Sequence, residues 1–378
     1  MPTLGDGDVL LGSTGWENSL SGDEDASSVR ARAQDFLGEV LQAETLIILA
    51  GLGTSLGVQT DLGKAPSMRD LWDAIAHLPE FAYAAPLLPN ESANNDLEAL
   101  LSEAILRQRL DPAPQLEDFI TAAEAVVLAK CRFVESTSRL PTHERLMRKL
   151  ARRSPRGRRA QIFTTNYDQA FEVSAATTRT TIVDGFGLGG SAFFDGSWFD
   201  IDFVRRRANE TTIAEPNVVH LFKMHGSVDW SKRTGRIVRT SKIPDNPVLI
   251  YPAQNKYELS YAQPYQEIMS RFQMALRGTD VGLLVIGFGF RDNHITAPIE
   301  AALRANTGLK MAVIDPALNT TDRSEFAGKL ASLVEDGDER VALIARKFAD
   351  GLALLPDIRQ RDELADHVRR VEQVLDED

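Results

Sequence analysis

Short apolar runs alternate with segments of helical spacing along much of this chain. Strand-like runs lie at 45–50, 160–165, 180–183, 218–222, 247–251, 281–286 and 309–314, and several of them are nearly continuously apolar, which is typical of strands covered on both faces. Helical spacing is found beside several of them, at 29–42, 265–276 and 295–305. Because strands and helices alternate in this way, the pattern predicts an α/β fold with a Rossmann-like, doubly wound parallel sheet.

The pattern changes in the stretch that precedes the run at 160–165. Helical spacing recurs there at 68–78, 96–110, 116–134 and 142–150, with no convincing strand between these segments. We therefore expect a helical insertion over 67–154, within a sheet domain made of residues 29–66 and 155–316.

Both ends of the chain predict separate segments. Residues 1–28 are acidic and rich in Gly and Ser, which predicts a flexible tail. Residues 317–378 predict an acidic, helical C-terminal segment. Its last helix carries an apolar stripe formed by Leu364, Val368, Val371 and Leu375. Such a stripe docks either on its own subunit or at an interface between subunits.

Composition narrows the class of protein. Cys131 is the single cysteine of the 378 residues, so the chain has neither an internal disulfide nor the ligands of a zinc ribbon. The apolar runs are far shorter than the ~20 residues that span a bilayer. The N-terminus lacks the basic start and apolar stretch of a secretory signal. We expect a cytoplasmic protein without membrane contact.

The net charge of the chain limits the kinds of macromolecule that it can bind. A net charge of −12 argues against a protein that wraps nucleic acid over its whole surface. Eight cations are nevertheless concentrated between Arg145 and Arg159. This basic cluster, Arg145–Arg159, fits a contact with nucleic acid or with an acidic partner. It equally fits a solvated helix end whose cations favour the helix dipole.

The first candidate for chemistry is a glycine loop. Gly51-Leu-Gly53-Thr-Ser55 follows the apolar run at 45–50. Glycines at such a turn let the backbone N–H groups approach a pyrophosphate, although many ordinary turns also use glycine. The third glycine, Gly57, comes one residue late for the G-x-G-x-x-G fingerprint of NAD-dependent dehydrogenases, which disfavours hydride transfer.

Two polar motifs follow the next predicted strands. Thr164-Thr-Asn166-Tyr-Asp168 ends the run at 160–165, at the edge where α/β sheets bind ligands. Helix capping needs one such residue, and this motif supplies several. The second motif, Lys223-Met-His225-Gly-Ser-Val-Asp-Trp, places a histidine before a glycine. His225 fits a base in a cleft, or an ordinary loop histidine.

The last two motifs lie toward the C-terminus. Gly287-Phe288-Gly-Phe follows the most apolar run, and its glycines again allow close approach to a ligand, with Asp292 able to cap the next helix. Asp315 ends the run at 309–314, where a carboxylate accepts hydrogen bonds from an adenosine ribose or forms a turn with the proline that follows.

The order of four of these motifs, those of Gly51, Asn166, His225 and Gly287, resembles the sirtuin-like NAD-binding family, and most closely its divergent bacterial branch in antiphage defence. The resemblance covers about residues 45–316 and implies NAD+ as a substrate. It implies that Asn166 is an orienting amide at the reacting ribose and His225 the base. The further contacts it implies are Gly51, Gly53, Thr54 and Ser55 with the phosphates, Asp168 with the nicotinamide carboxamide, and Gly287, Phe288 and Asp315 with the adenosine.

Departures from the family change the expected reaction. Deacylating sirtuins carry a four-cysteine zinc module beside the acyl-lysine groove, which a chain with one cysteine lacks. Water is then the natural acceptor, and the resemblance implies an NAD+ glycohydrolase that releases nicotinamide and ADP-ribose. A protein deacylase or ADP-ribosyltransferase, or a non-catalytic sensor of NAD or ADP-ribose, remains an alternative.

The remaining histidines give no reason to expect a metal. His77, His143, His220, His294 and His367 show no ligand spacing, so we expect an enzyme that needs no metal. In the resembling branch, NAD+ depletion kills or arrests an infected cell, which requires control by another polypeptide. The resemblance therefore implies a homo-oligomer that docks on a HerA-type hexameric ATPase.

Overall fold

The computed structural model describes residues 7–87, 96–154, 157–187, 193–206, 212–249 and 263–357. The helices in these ranges are α1 (Glu24–Gln42), α2 (Met68–Ala76), α3 (Phe81–Ala84), α4 (Leu97–Leu110), α5 (Pro114–Cys131), α6 (Pro141–Leu150), α7 (Ala170–Thr177), α8 (Tyr265–Ala275), α9 (Asn293–Ala305), α10 (Glu325–Glu335) and α11 (Phe348–Leu354).

The strands in the same ranges belong to one large sheet and three small ones. They are β1 (Val9–Leu10), β2 (Trp16–Glu17), β3 (Thr45–Ala50), β4 (Gln59–Thr60), β5 (Gly63–Lys64), β6 (Ala160–Thr164), β7 (Thr181–Val183), β8 (Val204–Arg206), β9 (Thr212–Ala214), β10 (Val218–Lys223), β11 (Gly226–Arg233), β12 (Arg236–Arg239), β13 (Pro247–Leu249), β14 (Val281–Ile286), β15 (Leu309–Ile314) and β16 (Val341–Ile344).

The large sheet has nine strands in the order β2-β1-β16-β15-β14-β3-β6-β10-β7. The strands from β16 to β7 run parallel, and β1 pairs antiparallel with β16. The chain builds outward from β3 in one direction through β6 and β10, then returns to build the other side from β14. This reversal between β3 and β14 is the switch point of a doubly wound sheet, which confirms the predicted fold class.

Both faces of the sheet are covered, which explains the continuous apolar runs. Leu46 and Ile48 of β3 pack in one core with α1, α6, α7 and α11. Ile47 and Leu49, which alternate with them, pack in the opposite core with α8, α9 and α10. Because successive side chains of a strand point to opposite faces, each of these residues is apolar.

The helical insertion has a core of its own. Helices α2 to α5 pack around fully buried side chains such as Ile75, Leu100 and Phe119, and Val228 of β11 joins this core. Helix α6, at the end of the predicted insertion, instead buries Leu146 against the sheet. Packing therefore assigns α6 to the sheet, while the described residues from α2 to α5 form the insertion proper.

One predicted strand lies in a different sheet. The run at 247–251 was expected among the parallel strands, and its described part, β13, instead pairs antiparallel with β11 in a three-stranded sheet with β12. Strand β11 begins directly after β10, because Gly226 adopts φ +93° and reverses the chain there. A Cβ at Gly226 would lie 2.0 Å from the carbonyl oxygen of Val248, so this tight reversal requires glycine.

The two ends of the chain also differ from expectation. Residues 1–28 are not simply a tail, because β1 extends the large sheet and α1 begins at Glu24. The segment after residue 316 is not only helical, because β16 completes the parallel part of the sheet. The apolar stripe formed by Leu364, Val368, Val371 and Leu375 lies outside the described residues. None of the described helices is both long and apolar enough to cross a membrane.

Candidate active site at the carboxyl edge of the sheet

Two glycine-containing loops meet at the switch point of the sheet. Gly53 donates a backbone hydrogen bond of 2.9 Å to the carbonyl oxygen of Gly287. A Cβ at Gly53 would lie 2.6 Å from the Cα of Gly287, and one at Gly51 would lie 2.5 Å from its oxygen. Gly287 itself has φ +59°. These glycines are therefore required for the packing of the two loops, and their predicted contact with phosphate stays a prediction.

The side chain of Asn166 ties the first loop to the end of β6. Its Nδ2 lies 3.0 Å from Gly51 O, 3.0 Å from Thr54 Oγ1 and 2.9 Å from Ser55 Oγ, and the two amide hydrogens serve these acceptors. Asn166 is 7% exposed. Within the described part of the chain, no hydrogen bond reaches its Oδ1. The amide is thus fixed in place with its carbonyl oxygen left as an acceptor.

Asp168 extends this network to the next helix. Its Oδ2 accepts a 2.7 Å hydrogen bond from Ser55 Oγ, and its Oδ1 accepts one of 2.9 Å from the backbone N–H of Ala170 in α7. Asp168 therefore forms a turn that leads into α7, whose N-cap position, Gln169, makes no side-chain capping bond. Its predicted contact with the nicotinamide carboxamide stays a prediction.

A buried lysine supports the backbone beneath this network. Lys223 Nζ donates to the carbonyl oxygens of Tyr167 and Asp168, and to Glu172 Oε1 at 3.1 Å. Burial raises the pKa of Glu172, and the charge of Lys223 opposes that rise. This lysine, the first residue of the predicted histidine motif, thus holds the Asn166 motif in place.

Adjacent parallel strands bring Asn166 and His225 to the same edge. Lys223 is in register with Thr164, and the N–H of Met224 donates a 2.8 Å hydrogen bond to Thr164 O. Asn166 and His225 each follow this registered pair by two residues. Only 3% of the His225 surface is exposed. The structure therefore places both predicted catalytic residues after neighbouring strands.

His225 contacts two residues that the sequence did not connect to it. Its Nε2 lies 3.3 Å from His294 Nε2 and 3.5 Å from Asp292 Oδ2, and His294 Nδ1 lies 3.3 Å from Asp292 Oδ1. Asp292 occupies the N-cap position of α9 without making a side-chain capping bond there. The Asp-Asn-His sequence at the start of α9 was the available signal, and capping alone was inferred from it.

A cleft at the ends of β14 and β15 joins Phe288 with Asp315 and two cations. Arg291 and Arg323 line the cleft with them, and neither arginine was among the predicted site residues. Burial raises the pKa of Asp315, whose Oδ1 accepts a 2.8 Å hydrogen bond from the N–H of Ala317. A carboxylate, an aromatic ring and two guanidinium groups suit the adenosine and phosphate parts of a nucleotide.

The basic cluster Arg145–Arg159 is largely engaged within the chain. Lys149 donates to Leu355 O and Asp357, Arg153 donates to carbonyl oxygens that end α1, and Arg159 pairs with Asp202. Further ion pairs are Arg148 with Glu144, Arg152 with Asp357 and Arg158 with Glu44. These contacts favour a structural role for the cluster over a contact with nucleic acid.

Comparison with known proteins supports a family assignment for part of the chain. Residues 160–331 match the model of a family described as SIR2-like domain. The matched segment contains Asn166, His225, Gly287 and Asp315, and it excludes β3 with its glycine loop. No curated protein gives a significant match. The match supports a sirtuin-like domain and, with it, a function that involves NAD+.

Proposed function

We propose that this chain, in which residues 160–331 match a SIR2-like domain, is an NAD+ glycohydrolase that binds its substrate across the carboxyl edge of the sheet. The observation that carries the proposal is the pairing of a fixed amide, Asn166, with a buried histidine, His225, after adjacent strands of the matched segment. The alternative reading of the Asn166 motif as a passive helix cap does not account for the Asn166 side chain, because it bonds across to another loop.

The proposed reaction breaks the bond between nicotinamide and ribose. The electron pair of that bond leaves with nicotinamide, which departs as a neutral molecule, while positive charge develops on the ribose. The negative end of the Asn166 carbonyl dipole stabilises that charge if the ribose lies against it. His225 takes a proton from the attacking water, whose oxygen bonds to the ribose carbon to give ADP-ribose.

Water is the proposed acceptor in place of an acylated lysine. The chain holds one cysteine, so the zinc module that helps to shape the peptide groove of deacylating sirtuins is absent. In the described residues, helices of the insertion instead pack against β11 through Val228, and Arg132 donates a 3.0 Å hydrogen bond to Val228 O. This packing supports a site closed to a peptide on that side.

Product analysis tests the reaction. The purified chain is incubated with NAD+, with and without an acetylated-lysine peptide, and the products are separated by mass. We expect nicotinamide and ADP-ribose in equal amounts under both conditions. O-acetyl-ADP-ribose would show a deacylase instead, and ADP-ribose on the protein or peptide a transferase. Tight NAD+ binding without nicotinamide release would show a sensor.

The proposed role is NAD+ depletion in antiphage defence, under the control of a HerA-type hexameric ATPase. A free NAD+ hydrolase would harm its own cell, so the chain alone should be weakly active and oligomeric. Native mass spectrometry and nicotinamide assays, with and without the ATPase, test this role. A fully active monomer that is indifferent to the ATPase would contradict the proposed control, while leaving the proposed reaction standing.

A further inference from the structure

Three metal-ligating side chains converge on one point beside the proposed base. The ligand atoms of His225, Asp292 and His294 all lie within 4.8 Å of one another. The side chain of His225 is 3% exposed, that of Asp292 14% and that of His294 25%. The group is therefore enclosed on the side of His225 and accessible to solvent on the side of His294.

The fold brings these residues together from distant parts of the sheet. His225 follows β10, whereas Asp292 and His294 belong to the start of α9, which follows β14. Strands β3 and β6 lie between β14 and β10, so the segments that follow β14 and β10 together bridge about three strand spacings, or ~14 Å. A local turn would not need to bridge this distance. As a result of the bridging, two imidazoles and a carboxylate lie next to one another.

Two of the three distances match those between ligands of a tetrahedral metal ion, and the third is at most 4.8 Å. A zinc ion holds nitrogen and oxygen ligands at about 2.0–2.1 Å, so two ligands in tetrahedral positions lie about 3.4 Å apart. The two Nε2 atoms are 3.3 Å apart, and His225 Nε2 is 3.5 Å from Asp292 Oδ2. The alternative to a metal site is that the same three side chains are only hydrogen-bonded to one another.

We propose that His225, Asp292 and His294 form a binding site for a divalent transition-metal ion of the zinc class. Two of the three ligands are imidazoles, which favours zinc, cobalt or nickel over magnesium or calcium. Three protein ligands leave the fourth position to water. The Asp292 carboxylate supplies the negative charge that the two neutral imidazoles lack.

Metal binding at this site also regulates the enzyme. This consequence rests on the proposed function, because a metal bound to His225 Nε2 occupies the nitrogen that would take the proton from water. The metal is thus an inhibitor and not a cofactor, and chelation leaves the activity intact or raises it. Binding itself does not depend on the proposed reaction.

The experiment measures binding first. The full chain is freed of metal, titrated with Zn²⁺ by calorimetry and with Co²⁺ by visible absorption, and compared with His294→Gln and Asp292→Asn. We expect one ion per chain, with the spectrum of four-coordinate cobalt. Each substitution should weaken binding by at least about 100-fold, because loss of only a hydrogen-bond partner of a ligand costs about 10–100-fold.

His77→Gln is the matched control. His77 lies in the insertion and its Nδ1 contacts the carbonyl oxygen of Asp73, so this substitution should leave metal binding unchanged. Equal zinc affinity of wild type and His294→Gln would overturn the proposal. So would a wild-type protein that binds no zinc, which would indicate that the three side chains are only hydrogen-bonded to one another. Circular dichroism of each variant confirms that a loss of binding is not a loss of fold.

Activity provides a separate result. Zinc should suppress nicotinamide release by the wild-type chain, and His294→Gln, measured against its own metal-free rate, should need at least about 100-fold more zinc for the same suppression, in line with its weaker binding. If the chain binds one zinc ion but releases no nicotinamide in any condition, the proposed function fails and the metal site stands. If it releases nicotinamide but binds no zinc, the metal site fails alone.

Discussion

Polar side chains at the amino edge of the sheet bond mainly to carbonyl groups at the ends of helices, whereas several of those at the carboxyl edge bond to one another. At the amino edge, Arg153 donates to Leu41 O at the end of α1, and Asn306 donates to Leu276 O after α8 at 2.9 Å. Arg340 does the same for the end of α9. Each of these groups satisfies carbonyl oxygens that a helix terminus leaves unpaired.

At the carboxyl edge several of the partners are other side chains. Asn166 bonds to Ser55, Ser55 bonds to Asp168, and His225 contacts His294 and Asp292. Only about 10–15% of hydrogen bonds in folded proteins join two side chains. Stability alone explains the hydrogen bonds at the amino edge. The networks at the carboxyl edge, in contrast, position their side chains more precisely than the fold requires.

The largest expected effect is on the rate of NAD+ cleavage, and it distinguishes substitutions at the carboxyl edge from a matched asparagine substitution at the amino edge. Asn166→Ala and His225→Ala should each lower the rate of NAD+ cleavage by at least about 100-fold, the scale of removing a positioned dipole or base. Asn306→Ala, the matched substitution at the amino edge, should leave that rate unchanged and lower the free energy of unfolding by about 1–2 kcal/mol. Nicotinamide release and urea unfolding measure both quantities.

Two outcomes would contradict this prediction. If Asn306→Ala lowered the rate per folded molecule as much as Asn166→Ala, the two edges would not differ in function. If Asn166→Ala or His225→Ala kept near-normal turnover, that residue would lose its assigned role.

The second effect concerns the contact between the two glycine loops. Gly53→Ala places a methyl group 2.6 Å from the Cα of Gly287, so the loops must separate, at a cost of about 3 kcal/mol in unfolding free energy. The rate of NAD+ cleavage should fall with it, because the same loop holds Asn166. Gly57→Ala is the control, since a Cβ there meets nothing within 4 Å. Equal melting temperatures for the two variants would refute this close packing.

The third effect concerns the amino edge alone. Arg153→Met removes the guanidinium that bonds to Leu41 O and Ala43 O at the end of α1. Hydrogen bonds from a charged group contribute about 1.5–3 kcal/mol each, so for two bonds at the lower end of that range we expect a loss of about 3 kcal/mol in unfolding free energy. Chemical denaturation measures this loss. The rate of NAD+ cleavage per folded molecule should not change, and a change would link this edge to the reaction.

The smallest effect depends on pH and lies outside both edges. His143 is buried between Phe171 and Phe348, and burial lowers its pKa from 6.5 to about 4. Between pH 6.5 and about pH 4, this histidine is therefore protonated in the unfolded chain and neutral in the folded chain. The free energy of unfolding thus falls as the pH drops below 6.5. His143→Leu should remove about 2 kcal/mol of that loss between pH 6.5 and 5. Unfolding curves that fall equally steeply in both proteins would contradict the assignment.

Continuous apolar runs made most of the sheet predictable. Strands β14 and β15 have the bounds that the sequence indicated, because a strand covered on both faces is apolar at nearly every position. Strands β1 and β16 have two and four residues, too few for a pattern to distinguish them from a helical turn or a tail. Strand β13 was recognised as a strand, but its sheet depends on the reversal at Gly226.

The candidate site was predictable only where its residues follow strands. The Asn166 and His225 motifs adjoin apolar runs, so their position at the carboxyl edge followed from the α/β pattern. The contact of His225 with His294 spans 69 residues and depends on the order of four strands, which no local pattern contains. The glycine loops follow strands as the pattern indicated; their close packing on each other requires the glycines, and their contact with phosphate stays a prediction.

Hydrogen exchange with NAD+ tests the central claim most directly, because it locates the substrate without requiring turnover. The His225→Ala variant is saturated with NAD+, and peptide-resolved exchange is compared with that of the free variant. We expect slower exchange at 51–57, 164–168 and 287–294, with the helices of the insertion and the amino edge unchanged. Slower exchange confined to those other regions, or no change at saturating NAD+, would contradict that claim.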